Sequence, residues 1–270
     1  MPRLIDIPLC SETTIVNGLS RQILAEVNNV APGILVAFSD LDIKIKRFQF
    51  PFLQQKAKES LARVIRNRGI RIEVNSAYRT CAQQFLLRRR LGSCGTTAAA
   101  QPGSSNHESG LALDVEDYLG WKPYLESQGW AWLGTGDAVH FDYRGGGIPI
   151  GNVGIEAFQT LWNRNFPSRQ IGVDGVYGAG TAEKLGISPS EGFNSGVVRR
   201  VLRLTIPRMQ GGDVSRVQMK LRQLRLLGEN DVDRVYGETT EAAVRRFQKT
   251  RGLTVDGFVG DGTYEKLGID

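Results

Sequence analysis

The feature that most constrains the fold of this chain is the placement of its two histidines, the only two in 270 residues. His107 lies just before the stretch 111–115 (LALDV), and His140 lies within the stretch 138–143 (AVHFDY). Apolar side chains alternate along both stretches, which is typical of short β-strands that bury one face. Each histidine is therefore expected at or beside a strand, with a carboxylate nearby.

The period of a strand decides which of these side chains can meet. Successive side chains point to opposite faces, so His140 and Asp142 share a face, and Asp114 can lie on that same face if the two strands pair. His107 can then reach them from the preceding loop, which Gly110 allows to turn tightly. Two imidazoles and one carboxylate are a known ligand set for a catalytic zinc ion.

Two sequence signatures carry a resemblance to a known family. Ser-x-His-x-x-Gly-x-Ala-x-Asp at 105–114 is followed by Asp-x-x-His at 137–140. This order resembles the zinc-dependent D-alanyl-D-alanine carboxypeptidases, the D-alanyl-D-alanine dipeptidases and related phage endolysins. The resemblance implies that Zn²⁺ is bound by His107, Asp114 and His140.

The same resemblance implies two catalytic roles. Asp137 takes the position of the catalytic base, where many members have glutamate, and aspartate there is similar to endolysins that cut the L-alanyl-D-glutamate bond. Ser-Ala-Tyr-Arg-Thr at 76–80 is a third signature, and it implies that Arg79 contacts the substrate or the developing oxyanion. A guanidinium offers fixed donors to such a charge. The alternative is a surface arginine at the start of a helix.

Four further side chains lie near these signatures in the sequence. Ser105 is a candidate substrate contact because it lies close to the metal signature in the sequence. The segment 129–134 contains Trp130 and Trp132, which we interpret first as core aromatics, with a wall of the substrate cleft as the alternative role of Trp130. Tyr143 falls on the strand face opposite His140, so we assign it no role.

The implied fold class is α+β, with a zinc domain of the Hedgehog/DD-peptidase type built on a small antiparallel sheet. Before the metal signatures, the periodicity predicts a helix over 52–68 that ends at Gly69 and a strand from Ile70. Thr80 and Gln83 form a capping-box pattern for the next helix. The implied activity is hydrolysis of peptidoglycan stem peptides, with D-alanyl-D-alanine carboxypeptidase favoured. An endopeptidase and a non-catalytic wall-binding protein on a zinc scaffold remain the alternatives.

The second half of the chain repeats itself. Asp174–Ile187 aligns without gaps onto Asp256–Ile269 with ten of fourteen positions identical, and Asp233–Thr240 is a shorter copy. Phe-Gln pairs stand before both long copies, at 158–159 and 247–248. This arrangement resembles the three-helix peptidoglycan-binding domain.

The repeats and the glycine-rich stretch after Tyr143 suggest a division of the chain. We predict a zinc D,D-peptidase-like domain over 1–147 and a degenerate half repeat over 148–190. A linker over 191–206 would then lead to an all-α peptidoglycan-binding domain over 207–270.

The net charge of +6 favours polyanionic partners without choosing among them. Peptidoglycan is the expected partner, nucleic acid is not favoured because basic residues form no long block, and a monomer is expected. No apolar stretch reaches the roughly 20 residues that span a bilayer. Function predicts a location in the cell wall, the periplasm or outside the cell, although the first residues lack the apolar core of a signal peptide.

The three cysteines are too few for a disulfide framework. Cys81 and Cys94 could pair across a helix and a loop, and free thiols are the alternative.

Overall fold

The computed structural model describes residues 2–45, 49–193 and 201–269. Its contacts divide the chain into two compact units, Met1–Asn194 and Ser195–Asp270. The first unit combines helices with a small sheet, and the second is helical over the residues described. The α+β class is therefore confirmed. The predicted boundaries at residues 147, 190 and 206 stay predictions, and residues 194–200 of the predicted linker lie outside the described residues.

The strands of the first unit form two sheets. They are β1 (Val36–Ala37), β2 (Ile43–Ile45), β3 (Phe52–Leu53), β4 (Ile72–Ser76), β5 (Ala112–Val115), β6 (Trp130–Trp132) and β7 (His140–Tyr143). The larger sheet has the order β2-β4-β5-β7-β6, and β1 pairs with β3 in a two-stranded sheet. In the larger sheet β5 lies between β4 and β7, so the strand that carries Asp114 has a partner on both sides.

The prediction of an antiparallel sheet is wrong at one edge. β2 pairs with β4 in parallel, whereas the other pairs of the larger sheet are antiparallel. Parallel neighbours need a crossover connection, and helix α2 (Gln55–Arg68) lies between these two strands in sequence. The short β2 carries too little alternation for the sequence to indicate it.

The other helices of the first unit are α1 (Asn17–Val30), α3 (Cys81–Arg89), α4 (Tyr118–Glu126), α5 (Gly151–Asn165) and α6 (Ala179–Ile187). Two predicted ends are confirmed. α2 is capped at its carboxyl end by Gly69, which is left-handed with φ +71°, and Thr80 is the N-cap of α3 with the predicted capping box to Gln83.

The core below the sheet forms from the apolar faces of the strands and of α2 and α4. Leu61, Val74, Leu113 and Phe141 are fully buried in it. Burying one face of β5 and β7 leaves the opposite face for polar side chains, and Asp114, His140 and Asp142 lie there. If the pairing of β5 with β7 shifted by one residue, these polar side chains would point into the core. Burial of the apolar face therefore also fixes the β5–β7 register that the site needs.

The second unit contains α7 (Gly212–Gln223), α8 (Glu238–Thr250) and α9 (Asp261–Leu267) around a separate apolar core. These helices agree with the all-α architecture predicted for this part of the chain. A buried glutamine ties each repeat together: Gln218 donates to Asp233 and Thr240, and its amide oxygen accepts from Arg234 N–H.

The same network recurs at the other two copies. Gln248 Nε2 donates to the Asp256 carboxylate at 2.7 Å, and its Oε1 accepts from a backbone N–H in the turn. In the first unit, Gln159 on α5 donates to Asp174 and Thr181 at 2.8 and 3.0 Å. The half repeat therefore keeps the local architecture of the full ones.

A disulfide joins Cys10 to Cys94, with the two Cα atoms 5.5 Å apart. Cys81 is buried and free. The pairing of Cys81 with Cys94 is therefore wrong. Cys81 begins α3, and its thiol donates to the Gly154 carbonyl oxygen at 3.6 Å.

In the described part of the chain, no helix has both the length and the apolar character needed to cross a membrane.

Candidate metal centre

Three side chains meet above the sheet at the place that the sequence indicates. One ligand atom from each of His107, Asp114 and His140 lies within 4.8 Å of the other two. Asp114 on β5 is directly opposite His140 on β7, as strand alternation predicts. His107 comes from a 3-10 helix, Asn106–Ser109, which ends at the left-handed Gly110 with φ +63°.

Each imidazole has one nitrogen held by the protein and the other turned to the cluster. His107 Nδ1 lies 2.6 Å from the Ala77 carbonyl oxygen, so Nδ1 carries the proton and Nε2 faces the cluster. His140 Nε2 lies 2.8 Å from Asp142 Oδ1, so its Nδ1 faces the cluster. These outer partners fix tautomer and ring orientation as they do around metal-bound histidines.

The distances within the cluster fit a zinc ion. His140 Nδ1 lies 3.0 Å from Asp114 Oδ1, and His107 Nε2 lies 3.2 Å from the same oxygen. The two facing nitrogens are 3.2 Å apart. Ligands about 2.0–2.1 Å from a tetrahedral ion are about 3.3 Å from one another. The donor types and their spacing therefore both suit Zn²⁺.

The charges of the cluster depend on one another. Burial opposes ionisation of Asp114, but the imidazoles and Arg79 outweigh it and hold the pKa of this carboxyl well below its usual range. Burial lowers the pKa of His107. For His140 burial acts in the same direction, yet hydrogen bonds to Asp114 and Asp142 raise its pKa to about 9. An ionised carboxylate thus stands between the two imidazoles.

Arg79 lies beside the cluster, just after β4. Its Nη2 is 3.6 Å from Asp114 Oδ2, and Nη1 donates to Gln84 Oε1 at 3.0 Å. Its backbone N–H donates to the His107 carbonyl at 3.2 Å. The Arg79 side chain is only 15% exposed. It is held by neighbours on two sides, which is unlike a surface arginine and suits a fixed donor to a substrate.

Asp137 closes a short 3-10 helix, Thr135–Asp137, on the segment before β7. Its side chain is exposed. The surrounding protein and then the Asp114 carboxylate raise the pKa of Asp137, while His140, His107 and Arg79 act in the opposite direction. Asp137 therefore lies within the electrostatic field of the cluster without being one of the three converging ligands.

The two candidate substrate contacts differ in position. Ser105 is partly exposed at the start of the 3-10 helix, and its backbone N–H donates to Glu108 Oε2. Trp130 is 2% exposed and lies in the core, where its Nε1 donates to Ser60 Oγ at 3.0 Å. A buried indole with a satisfied N–H cannot wall a cleft, so the structure corrects the substrate role of Trp130 in favour of the core interpretation.

The sequence did not assign roles to three side chains that support the site. Asp142 orients His140, and Gln84 holds Arg79. The buried Glu108 carboxylate accepts from the backbone of Gly103 and Ser105, and burial raises its pKa to about 7. Alternation along β7 had already placed Asp142 beside His140, which is the signal that could have found it.

The comparisons with known families agree with this geometry. Residues 52–133 match the family model described as D-alanyl-D-alanine carboxypeptidase, a range that includes Arg79, His107 and Asp114. Residues 210–267 match the model described as a peptidoglycan binding domain. Two segments of the chain are therefore similar to the D-alanyl-D-alanine carboxypeptidase family and to the peptidoglycan-binding domain family, and the resemblance predicted from the sequence is confirmed.

A similar protein is the N-acetylmuramoyl-L-alanine amidase CwlL of Bacillus licheniformis, which is 32% identical over 111 residues. The match covers 36% of this chain and 31% of the amidase, so the chain spans about a third of that relative's length. No solved structure matches the chain.

Proposed function

We propose that this protein is a zinc-dependent peptidoglycan hydrolase that cleaves stem peptides, with D-alanyl-D-alanine carboxypeptidase as the favoured activity and a Hedgehog/DD-peptidase type of fold. The observation that carries the proposal is the convergence of His107 Nε2, Asp114 Oδ1 and His140 Nδ1, each oriented by the protein. These three side chains would hold the ion. Bound zinc supplies Lewis-acid chemistry, activating water and polarising a carbonyl oxygen.

Asp137 is the proposed general base. Its carboxylate accepts the proton of the attacking water and then delivers it to the leaving amine. A raised pKa brings a carboxylate closer to the operating pH, where proton transfer in both directions is most efficient. Its exposure leaves it accessible to water and substrate, unlike the three buried or nearly buried ligands.

Arg79 is the proposed partner of the substrate's developing negative charge. Its contacts with Gln84 and Asp114 hold the guanidinium in place before the substrate binds, so little reorganisation is needed during the reaction. Ser105, at the entrance of the same 3-10 helix as His107, is a candidate contact for the rest of the stem peptide.

The second unit is proposed to hold the enzyme on its polymeric substrate. A wall-binding module raises the local concentration of substrate without adding contacts at the reacting bond. Peptidoglycan is then the partner of both units. The protein would act as a monomer in the cell wall, in the periplasm or outside the cell.

Zinc dependence has a direct test. Purified protein is expected to contain about one zinc ion per chain, because three ligands and one open position define a catalytic site. His107→Ala should lose both zinc and activity. Asp137→Asn should keep zinc while activity falls about 10²–10⁴-fold, the usual contribution of a general base. Full activity after chelation of the metal would contradict the proposal.

The bond that is cleaved has a separate test. An endopeptidase is the second candidate because Asp137 stands where many carboxypeptidases of the resembled family have glutamate. The name of the similar protein also makes an amidase a possible outcome. Mass spectrometry of digested muropeptides separates them. Free D-alanine indicates a carboxypeptidase, tripeptides or longer fragments an endopeptidase, and intact stem peptides freed from glycan an amidase. Wall binding without any product would indicate a non-catalytic scaffold.

A further inference from the structure

A cleft of about 620 Å³ lies in the first unit, outside the metal centre. One wall is the loop 101–104, which leads directly into the metal-binding signature. The other wall is the turn 175–179 of the half repeat, and the start of α5 contributes Asn152 and Ile155. Its volume is typical of sites that bind small molecules.

The half repeat departs from the full repeats at one position in this cleft. Tyr177 aligns with Tyr236 of the second unit. Tyr236 is fully buried, and its hydroxyl donates to the carbonyl of Gly257 in the turn of the next repeat. Tyr177 is instead partly exposed and lines the cleft. The same tyrosine position therefore lines the cleft in the half repeat and lies in the core of the complete module.

The walls of the cleft are tied to the metal centre. The N–H groups of Gly103 and Ser105 both donate to the carboxylate of Glu108, the residue after His107. α5 touches the same loop, because a Cβ added at Gly151 would lie 2.0 Å from the Gly103 carbonyl oxygen. A ligand in the cleft would therefore be held at a fixed position relative to the metal ligands.

The chemistry of the lining selects among parts of a peptidoglycan strand. None of the residues that line the cleft carries a charged side chain. Gln101, Ser104 and Asn152 offer amide and hydroxyl groups, and Tyr177 offers an aromatic ring. Stem peptides carry free carboxylates, which would find no cationic partner here. Glycan is neutral where its lactyl carboxyls are amide-linked to stem peptides, so its hydroxyls and acetamido groups match these donors and acceptors.

We propose that this cleft binds an N-acetylated amino sugar of the glycan strand and so positions the attached stem peptide at the metal centre. This inference rests on the proposed function. It gives the half repeat a role in the first unit, where it forms one wall of a substrate site.

The test is direct binding of N,N′-diacetylchitobiose to the full chain, followed by NMR titration with and without zinc. We expect saturable binding that weakens about tenfold or more in Tyr177→Ala, since loss of an aromatic anchor costs more than about 1.4 kcal/mol. Ala179→Trp should have the same effect by filling the cleft, and it leaves Tyr177 and every polar lining group in place. Phe258→Ala, in the corresponding turn of the last repeat, should leave this binding unchanged.

Each other outcome would overturn the inference. These are absence of chitobiose binding, loss in Phe258→Ala alone, and binding of an anionic stem tripeptide at Tyr177 in place of the sugar. Circular dichroism checks the fold of each variant, and Ala179→Trp keeps the test decisive if Tyr177→Ala does not fold. Because sugar binding needs neither zinc nor hydrolysis, its failure can be distinguished from failure of the proposed activity.

Discussion

Replacing Asp142 by alanine tests how the protein prepares its metal ligands. Asp142 Oδ1 accepts from His140 Nε2 at 2.8 Å, and the carboxylate is only 14% exposed. Loss of such an outer partner typically lowers metal affinity by about 10–100-fold, which corresponds to about 1.4–2.7 kcal/mol. We therefore expect zinc to bind Asp142→Ala about 10–100-fold more weakly. Asp142→Asn should lie between, because the amide oxygen still accepts the hydrogen bond but carries no charge.

The affinity can be measured by competition with a chromophoric zinc chelator at constant pH. Asp117→Asn is a matched control because this substitution also removes one negative charge. Asp117 forms an ion pair with Arg68 on the surface of the same unit. A second readout uses the metal-free protein, in which NMR can follow both histidines of the chain. Removing Asp142 should lower the pKa of His140 from about 9.

Two results would refute this reasoning. Zinc could bind Asp142→Ala as tightly as the wild type while His107→Ala abolishes binding. Alternatively, Asp117→Asn could weaken zinc binding as much as Asp142→Ala does. The first would mean that the ring of His140 needs no outer partner, and the second that only the net charge of the unit matters.

Three further predictions concern stability. Gly110→Ala should lower the free energy of unfolding, measured in urea, more than Gly69→Ala does. Both substitutions cost about 1–2 kcal/mol because they place an alanine in the left-handed conformation. Only the Cβ at Gly110 would also contact other atoms, the nearest at 2.6 Å. Gln248→Ala should cost about 2–3 kcal/mol, because it leaves buried groups of the turn without partners; a neutral effect would show that water replaces them. In metal-free protein, folding raises the pKa of His140 from 6.5 to about 9, so protonation of His140 stabilises the folded state. This stabilisation is complete below pH 6.5 and is lost above about pH 9. The difference in unfolding free energy between wild type and His140→Gln should therefore shrink as pH rises from 7 to 9, and a constant difference would contradict this.

The residues of the site that lie on strands could be predicted from the sequence. Period-two alternation placed Asp114 and His140 on one face, and the buried side chains opposite them fixed their register. His107 was harder, because the residues before β5 show no period. Its position came from the family signature, and the structure supplies the local reason in the left-handed Gly110.

Features that depend on distant chain segments could not be predicted. Cys10 and Cys94 are 84 residues apart, and no local pattern indicates that they meet. Trp130 and Trp132 are two residues apart on β6 and therefore share a face, and both pack against the same core. The sequence alone does not say that Trp130 is buried there while Trp132 is only partly buried. Arg79 was correctly placed near the metal signature, although its support by Gln84 depends on the packing of α3.

The three glutamine networks explain why a half repeat can persist without its second half. Each network joins a helix to a turn and helix start within about 22 residues, so it forms from local sequence and needs no neighbouring repeat. The tyrosine after the turn is different, because Tyr236 is satisfied only by the next turn. The described residues of the first unit include no second repeat that could accept this hydrogen bond, and the equivalent tyrosine, Tyr177, is partly exposed. Tyr177 lines the cleft beside the loop that leads to the metal-binding signature, so the half repeat leaves an aromatic side chain available there.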